Sequence, residues 1–254
     1  MAVRIAWSPE ELLVAFHLYC HTPFGRLHLH NSDITMLAGL LQRTPSAVVM
    51  KACNFASLDP AQRSRNIRAL SNVSQADRAL WNEFEHDSEA VAARAAEAYT
   101  RLTGRDAAPL EVELDAPQGP TEVERVVRVR RVQRFFASAV LVSYDYRCAL
   151  SDIAIPALLN ASHIIPWSAN AQRRADPRNG IALNALYDRA FDRGLLTLDA
   201  SYRVVLSPLL KRDDGPLLHR QALLDLEGRH LRSPHRFVPD PAALAYHREH
   251  VFIG

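Results

Sequence analysis

The chain has 254 residues, 48% of them hydrophobic, enough for one large domain or two small ones with a real core. Its formal net charge of +2 neither requires nor excludes a polyanionic partner. Cys20, Cys53 and Cys148 lie far apart without a CxxC pair, which argues against a thiolate zinc knuckle and for a reducing compartment.

The start, MAVRIAWSPEELLVAF, lacks a basic region followed by a long apolar run, and no stretch approaches a membrane span. A cytoplasmic protein without membrane contact is expected. Lysine occurs only at Lys51 and Lys211, so arginine carries nearly all the positive charge. Arginine suits bidentate phosphate contacts, although a genome of biased composition would give the same excess.

Ser8 is an N-cap candidate and Pro9 a good first helical residue. Leu12, Leu13, Phe16, Leu18 and Tyr19 then give a broad apolar face, so a helix is predicted over 8–20. TPFGRL (22–27) breaks it. A second helix is predicted over 31–42. A third is predicted over 43–60, where RTPS supplies a cap and a proline. Three short helices with tight joints fit a helix-turn-helix or winged-helix module, and fit a ligand-free helical bundle equally well. Residues 71–102 are predicted to be helical and alanine-rich, with Trp81 and Phe84 as anchors. Gly, Pro and acidic residues then mark a linker, placed at 106–121 between domains 1–105 and 122–254. No internal repeat is visible.

The second half opens with a basic helix in which Arg125, Arg128, Arg130, Arg131 and Arg134 crowd together. Arg128 and Arg131 share a helical face, as do Arg130 and Arg134. Phe135, Phe136, Val140 and Leu141 supply a core side. The basic side is either solvated or turned to phosphate, with Arg131 a candidate contact.

ASHII (161–165) reads as a short strand and SANAQRRADPRNG as a polar loop with a strong turn signal at Asn179-Gly180. IAL is a second strand, and NALYDRAFDRG a helix ended by Gly194. Asp188 and Asp192 fall on one face of that helix. Their repulsion, roughly a few tenths of a kcal/mol, is easier to explain if a cation lies between them.

In order and spacing, Cys148, Ser151-Asp152, SHIIPW, DPRNG and AFDRGLL resemble the HNH endonucleases of the ββα-metal class, in particular the branch found among restriction-type enzymes. LLVAFHLYC, PFGRLH, RTPSAVVMK and NFASLDP are similar to a domain commonly joined to that branch, which favours the winged-helix reading of the first half. The expected fold class is therefore α+β: an N-terminal, mainly helical, winged-helix-like domain followed by a C-terminal ββα-metal HNH nuclease domain.

The resemblance implies that His163 is the general base and that Asn179 anchors the loop orienting it or reaches the metal. It implies Asp188 and Asp192 as ligands of a divalent ion, Mg2+ or Mn2+ by their oxygen donors. Pro166 and Trp167 would brace the turn, a water would sit by Ser162, and Arg189 or Arg193 would contact phosphate. Cys148 reads as a small packed hydrophobe. The implied substrate is double-stranded DNA, with cutting dependent on methylation as one variant and a homodimer as the means of cutting both strands.

The sequence departs from the family at one place. The last histidine of the pattern stands four or three residues before the phenylalanine that is Phe191 here, and those positions are Tyr187 and Asp188. Two other readings stay open: a DNA-binding protein with an inactive HNH fold, and a nonspecific toxin or repair nuclease. His219, His230, His235, His247 and His250 fit no metal spacing, so the tail is expected to pack on the nuclease core and close with a short helix.

Overall fold

The computed structural model describes residues 6–63, 73–105, 120–211 and 216–254, with the backbone alone for 120–125. These residues are mainly helical, with two small antiparallel sheets, an α+β organisation. They form two compact units, Met1–Ala139 and Val140–Gly254.

Unit 1 contains α1 Pro9–His21, α2 Ser32–Leu40, α3 Pro45–Leu58, α4 Pro60–Arg63, α5 Gln75–His86, α6 Ser88–Thr103 and most of α7 Pro120–Ser143. Local chemistry sets the starts. Ser8 and Glu11 form a reciprocal capping box on α1, Asn31 caps α2, Thr44 caps α3 ahead of Pro45, and Ser74 and Asp77 box α5. The helical stretch predicted over 71–102 is divided into two helices. Asp87, at φ −141°, closes α5 and its carboxylate accepts from Ala90 N to start α6. A short acidic side chain that bonds its own backbone ends one helix and opens the next.

Phe16 centres the core of unit 1, with Phe84 at 4.9 Å, Phe55 at 5.3 Å and Phe135 at 6.3 Å between ring centroids. Asp77 is fully buried and takes Lys51 Nζ at 2.8 Å and Asn54 Nδ2 at 2.9 Å, which satisfies a charge that burial would otherwise penalise. Phe135 explains why the division between units falls within α7: its aromatic face is packed with α1 and α5. Among the described residues of unit 1 there is no strand, so they contain no wing for the expected winged helix. Positions 106–119 of the expected linker lie outside the described residues.

Unit 2 is built on a hairpin and a helix. β1 Leu159–His163 pairs antiparallel with β2 Gly180–Asn184, with His163 opposite Gly180. α8 Ala185–Asp192 follows directly, capped by Asn184 through Tyr187 N. β1 ends two residues before the predicted ASHII strand does. The backbone N–H of Ile165 bonds to the Asn179 side chain instead of to a ladder partner. A second hairpin, β3 Leu196–Leu198 with β4 Val204–Leu206, was not predicted from sequence. α9 Leu217–Ala222 and α10 Pro241–His250 complete the unit.

The C-terminal segment packs on the end of α8, as expected. The His247 ring stacks on Phe191 at 3.8 Å. Its Nε2–H donates to Phe191 O at 3.2 Å, which leaves Nδ1 to accept from the Thr197 hydroxyl at 2.9 Å. Gly194 follows α8 at φ +67°, and Ile253 N donates to its carbonyl at 2.9 Å. A Cβ at Gly194 would lie 2.0 Å from Val251 O, in backbone that cannot retreat.

Gly194→Ala is therefore expected to unfold unit 2 or to detach its C-terminal segment, read as loss of its thermal transition or as proteolytic clipping near 250 in otherwise intact protein. A pH dependence follows from His247. Burial pushes its pKa down to about 4, so the native state stays neutral where the unfolded state, titrating near 6.5, takes up a proton. Its share of stability is thus complete above about pH 6.5 and falls as pH drops toward 4, by about 2 kcal/mol at pH 5. Unfolding of unit 2 followed from pH 7 to 5 should show a steeper loss in the native protein than in His247→Gln.

Candidate active site

Side chains alternate along β1, so Asn160 and Ser162 share a face. That face meets the first turn of α8. Asn160 Nδ2 donates to Asp188 Oδ2 at 2.6 Å, and the Ser162 hydroxyl donates to Asp188 Oδ1. The Asp188 carboxylate also benefits from the helix N-terminus. Tyr187, one residue earlier, turns inward at 7% exposure, and burial raises its phenol pKa. Of Tyr187 and Asp188, Asp188 is the one that faces the hairpin. Asp192 follows one turn later with its edge open to solvent. Surrounding protein, and then the Asp188 charge, pushes it up to about 6.

His163 ends β1. Its Nε2 lies 3.0 Å from the Arg174 carbonyl, a partner that can only accept. Nε2 therefore carries the proton and Nδ1 the lone pair. Burial lowers the ring pKa to about 4, against opposing effects from that carbonyl and from Asp188, so the imidazole is a neutral base at pH 7. Trp167 presents its ring at 84° to His163, with centroids 5.6 Å apart. The Arg174 guanidinium lies over Trp167 at 5.0 Å, and its Nε donates to Trp167 O at 2.8 Å.

The loop that holds these groups is closed by Asn179, which is buried. Its Oδ1 accepts from Ile165 N at 2.8 Å. Its Nδ2 donates to Ile165 O at 3.1 Å and to Arg173 O at 3.3 Å, and its backbone O accepts from Ile164 N. Asp176 tightens the same turn, taking Arg173 Nη2 at 3.1 Å and Arg178 Nε at 3.0 Å.

The structure thus brings together His163, Ser162, Asn179, Trp167 and Asp188, with Asp192 one helical turn along. Arg189 and Arg193 are exposed on α8 and at its end, and Arg131 belongs to unit 1. Sequence reasoning missed Asn160 and Arg174. Asn160 was discoverable, because it stands two residues before Ser162 on the same strand face. Arg174 acts through its carbonyl, which no residue type announces. Cys148 is buried, as read, and its Sγ accepts from Asn184 N at 3.3 Å.

Among the described residues no group of three or more His, Cys, Asp or Glu is placed to hold a metal. The donors at hand are the Asp188 and Asp192 carboxylates with the Ser162 hydroxyl and the Asn160 amide oxygen. Hard oxygen donors of this kind suit Mg2+ or Mn2+, ions bound by one or two carboxylates with waters and phosphate completing the shell. The raised proton affinity of Asp192 beside Asp188 fits a place where positive charge is welcome.

Residues 148–199 match the family model described as HNH endonuclease. The match spans β1, the closing loop, β2, α8 and β3 and supports a nuclease. No curated protein matches the chain.

Asn179→Ala removes both sides of the clamp on Ile165 and leaves buried backbone groups without partners, a loss of about 3 kcal/mol. Denaturant unfolding should show that loss in unit 2. Histidine NMR should show the His163 pKa rising from its depressed value as the loop opens to water.

Proposed function

We propose that this protein is a metal-dependent DNA endonuclease that hydrolyses phosphodiester bonds in restriction or defence. The observation that carries the reading is the neutral strand-end histidine, its Nε2–H fixed on the Arg174 carbonyl, next to a two-carboxylate helix face. His163 Nδ1 takes a proton from water. The hydroxide attacks phosphorus, the bond to the 3′ oxygen breaks, and that oxygen leaves with a proton from solvent. Asp188 and Asp192 would hold a divalent ion, which would supply positive charge to stabilise the reacting phosphate. Asn160 and Ser162 fix the Asp188 rotamer, Asn179 holds the loop, and Trp167 excludes water from one side of the base. Arg189 and Arg193, exposed beside these carboxylates, are the phosphate contacts.

Unit 1 reads the DNA in this proposal, supported by its resemblance to domains joined to the same nuclease branch. Dependence of cutting on a methylated base is one variant of this reading. Cutting both strands calls for two active sites and hence a homodimer, acting in the cytoplasm.

Plasmid cleavage with Mg2+ or Mn2+, on methylated and unmethylated DNA, tests the reading. His163→Ala should lower the rate by about 10³. Asp188→Asn and Asp192→Asn should raise the metal concentration needed for half activity, and chelation should stop cleavage. If native protein and His163→Ala are equally inert with every metal and methylation state, the enzyme reading fails and an inactive fold that binds DNA takes its place.

A further inference from the structure

Unit 1 contains a small cavity that the nuclease reading does not use. His17, His21, Thr100, Arg131, Arg134 and Phe135 line a space of about 10 Å3 among α1, α6 and α7. That is the room one water-sized oxygen needs. His17 is 3% exposed, with its ring between His21 at 3.8 Å and Tyr99 at 4.3 Å. Its Nδ1 is buried without a hydrogen-bond partner among the described residues, as is Arg134 Nε. Burial, and then the charge of His21, keeps the His17 ring neutral, so it can offer an N–H without adding a cation.

The character of these groups selects the occupant. A guanidinium only donates. Among the described residues neither Arg131 nor Arg134 has a carboxylate partner, so a cation is disfavoured and a plain water leaves two charges uncompensated. A groove of about 630 Å3 between α6 and α7 shares Arg131 and adds Arg94, Arg128, Glu97 and Val127. Its carboxylate, Glu97, is engaged by Arg101 at 2.8 Å, and Arg94 is engaged by Glu83. Among the described residues the groove therefore keeps positive charge at Arg128 and Arg131 without a carboxylate partner.

We propose that cavity and groove together form a phosphate-binding site: one phosphate oxygen enters between His17 and Arg134, and Arg131 bridges to the rest of the phosphate in the groove. The phosphate is a free anion, a mononucleotide or part of a nucleic-acid backbone, and the chemistry recognised is the same. The site does not rest on the nuclease reading, because cleavage and this binding belong to different units.

The test is calorimetric titration of the full chain carrying His163→Ala, without divalent metal, with inorganic phosphate, a 5′-mononucleotide and a short DNA duplex in turn. At least one should bind, and Arg131→Gln and Arg134→Gln should each weaken that binding about tenfold. Arg220→Gln should leave it unchanged. The His17 ring resonances should move on saturation. Should Arg134→Gln fail to fold, Arg131→Gln carries the test, with its thermal unfolding checked beforehand. Binding of the duplex alone identifies nucleic acid as the source, and equal binding of phosphate or mononucleotide identifies a small molecule. The proposal is overturned if none of the three binds, if binding survives undiminished in the arginine variants, or if the His17 resonances stay still.

Discussion

The candidate site of unit 2 depends on one side-chain amide closing on one backbone residue. Asn179 meets both the N–H and the C=O of Ile165. The bonds replace a strand ladder at the point where β1 gives way to the loop. They also fix the two ends of a 13-residue excursion, 166–178, beside the hairpin. The Arg174 carbonyl can then stand against His163, and Trp167 can stand edge-on to it. A loop of this length would otherwise sample many states, and the clamp holds the His163 ring in a single orientation.

The helix that faces the hairpin is held from both ends. Asn184 caps its start, and the start places Asp188 where Asn160 and Ser162 can grip it. Gly194 closes its end against the C-terminal backbone, and Phe191 stacks on His247. The residues near 250, remote in sequence from the carboxylates, thereby fix the axis on which Asp188 and Asp192 stand. The raised proton affinity of Asp192 follows first from the protein around it and then from the Asp188 charge one turn away.

Unit 1 follows a different logic. Its helices are set by caps and then locked by one aromatic cluster around Phe16 and one buried ion pair at Asp77. Its basic helix turns Phe135 inward and leaves Arg128 and Arg131 to line the groove against α6. Basic and aromatic residues three or four apart produce this two-sidedness directly from helical periodicity.

The sequence by itself determined much of this molecule. Cap residues at Ser8 and Thr44 mark real helix starts, because capping is a local bond between neighbours. The strand–loop–strand–helix order around SHIIPW and DPRNG was legible for the same reason. The i, i+4 spacing of Asp188 and Asp192 was enough to place both on one face. The break at Asp87 was visible only in structure, since 71–102 keeps helical composition across it and a single carboxylate decides the outcome. The choice between Tyr187 and Asp188 also needed tertiary structure. Both are polar residues in the first turn of a helix, and only the hairpin packed against that turn determines which one it meets. Arg174 lay furthest from sequence. Its contribution to His163 is a backbone oxygen, and backbone is the same at every position until the fold decides where it points.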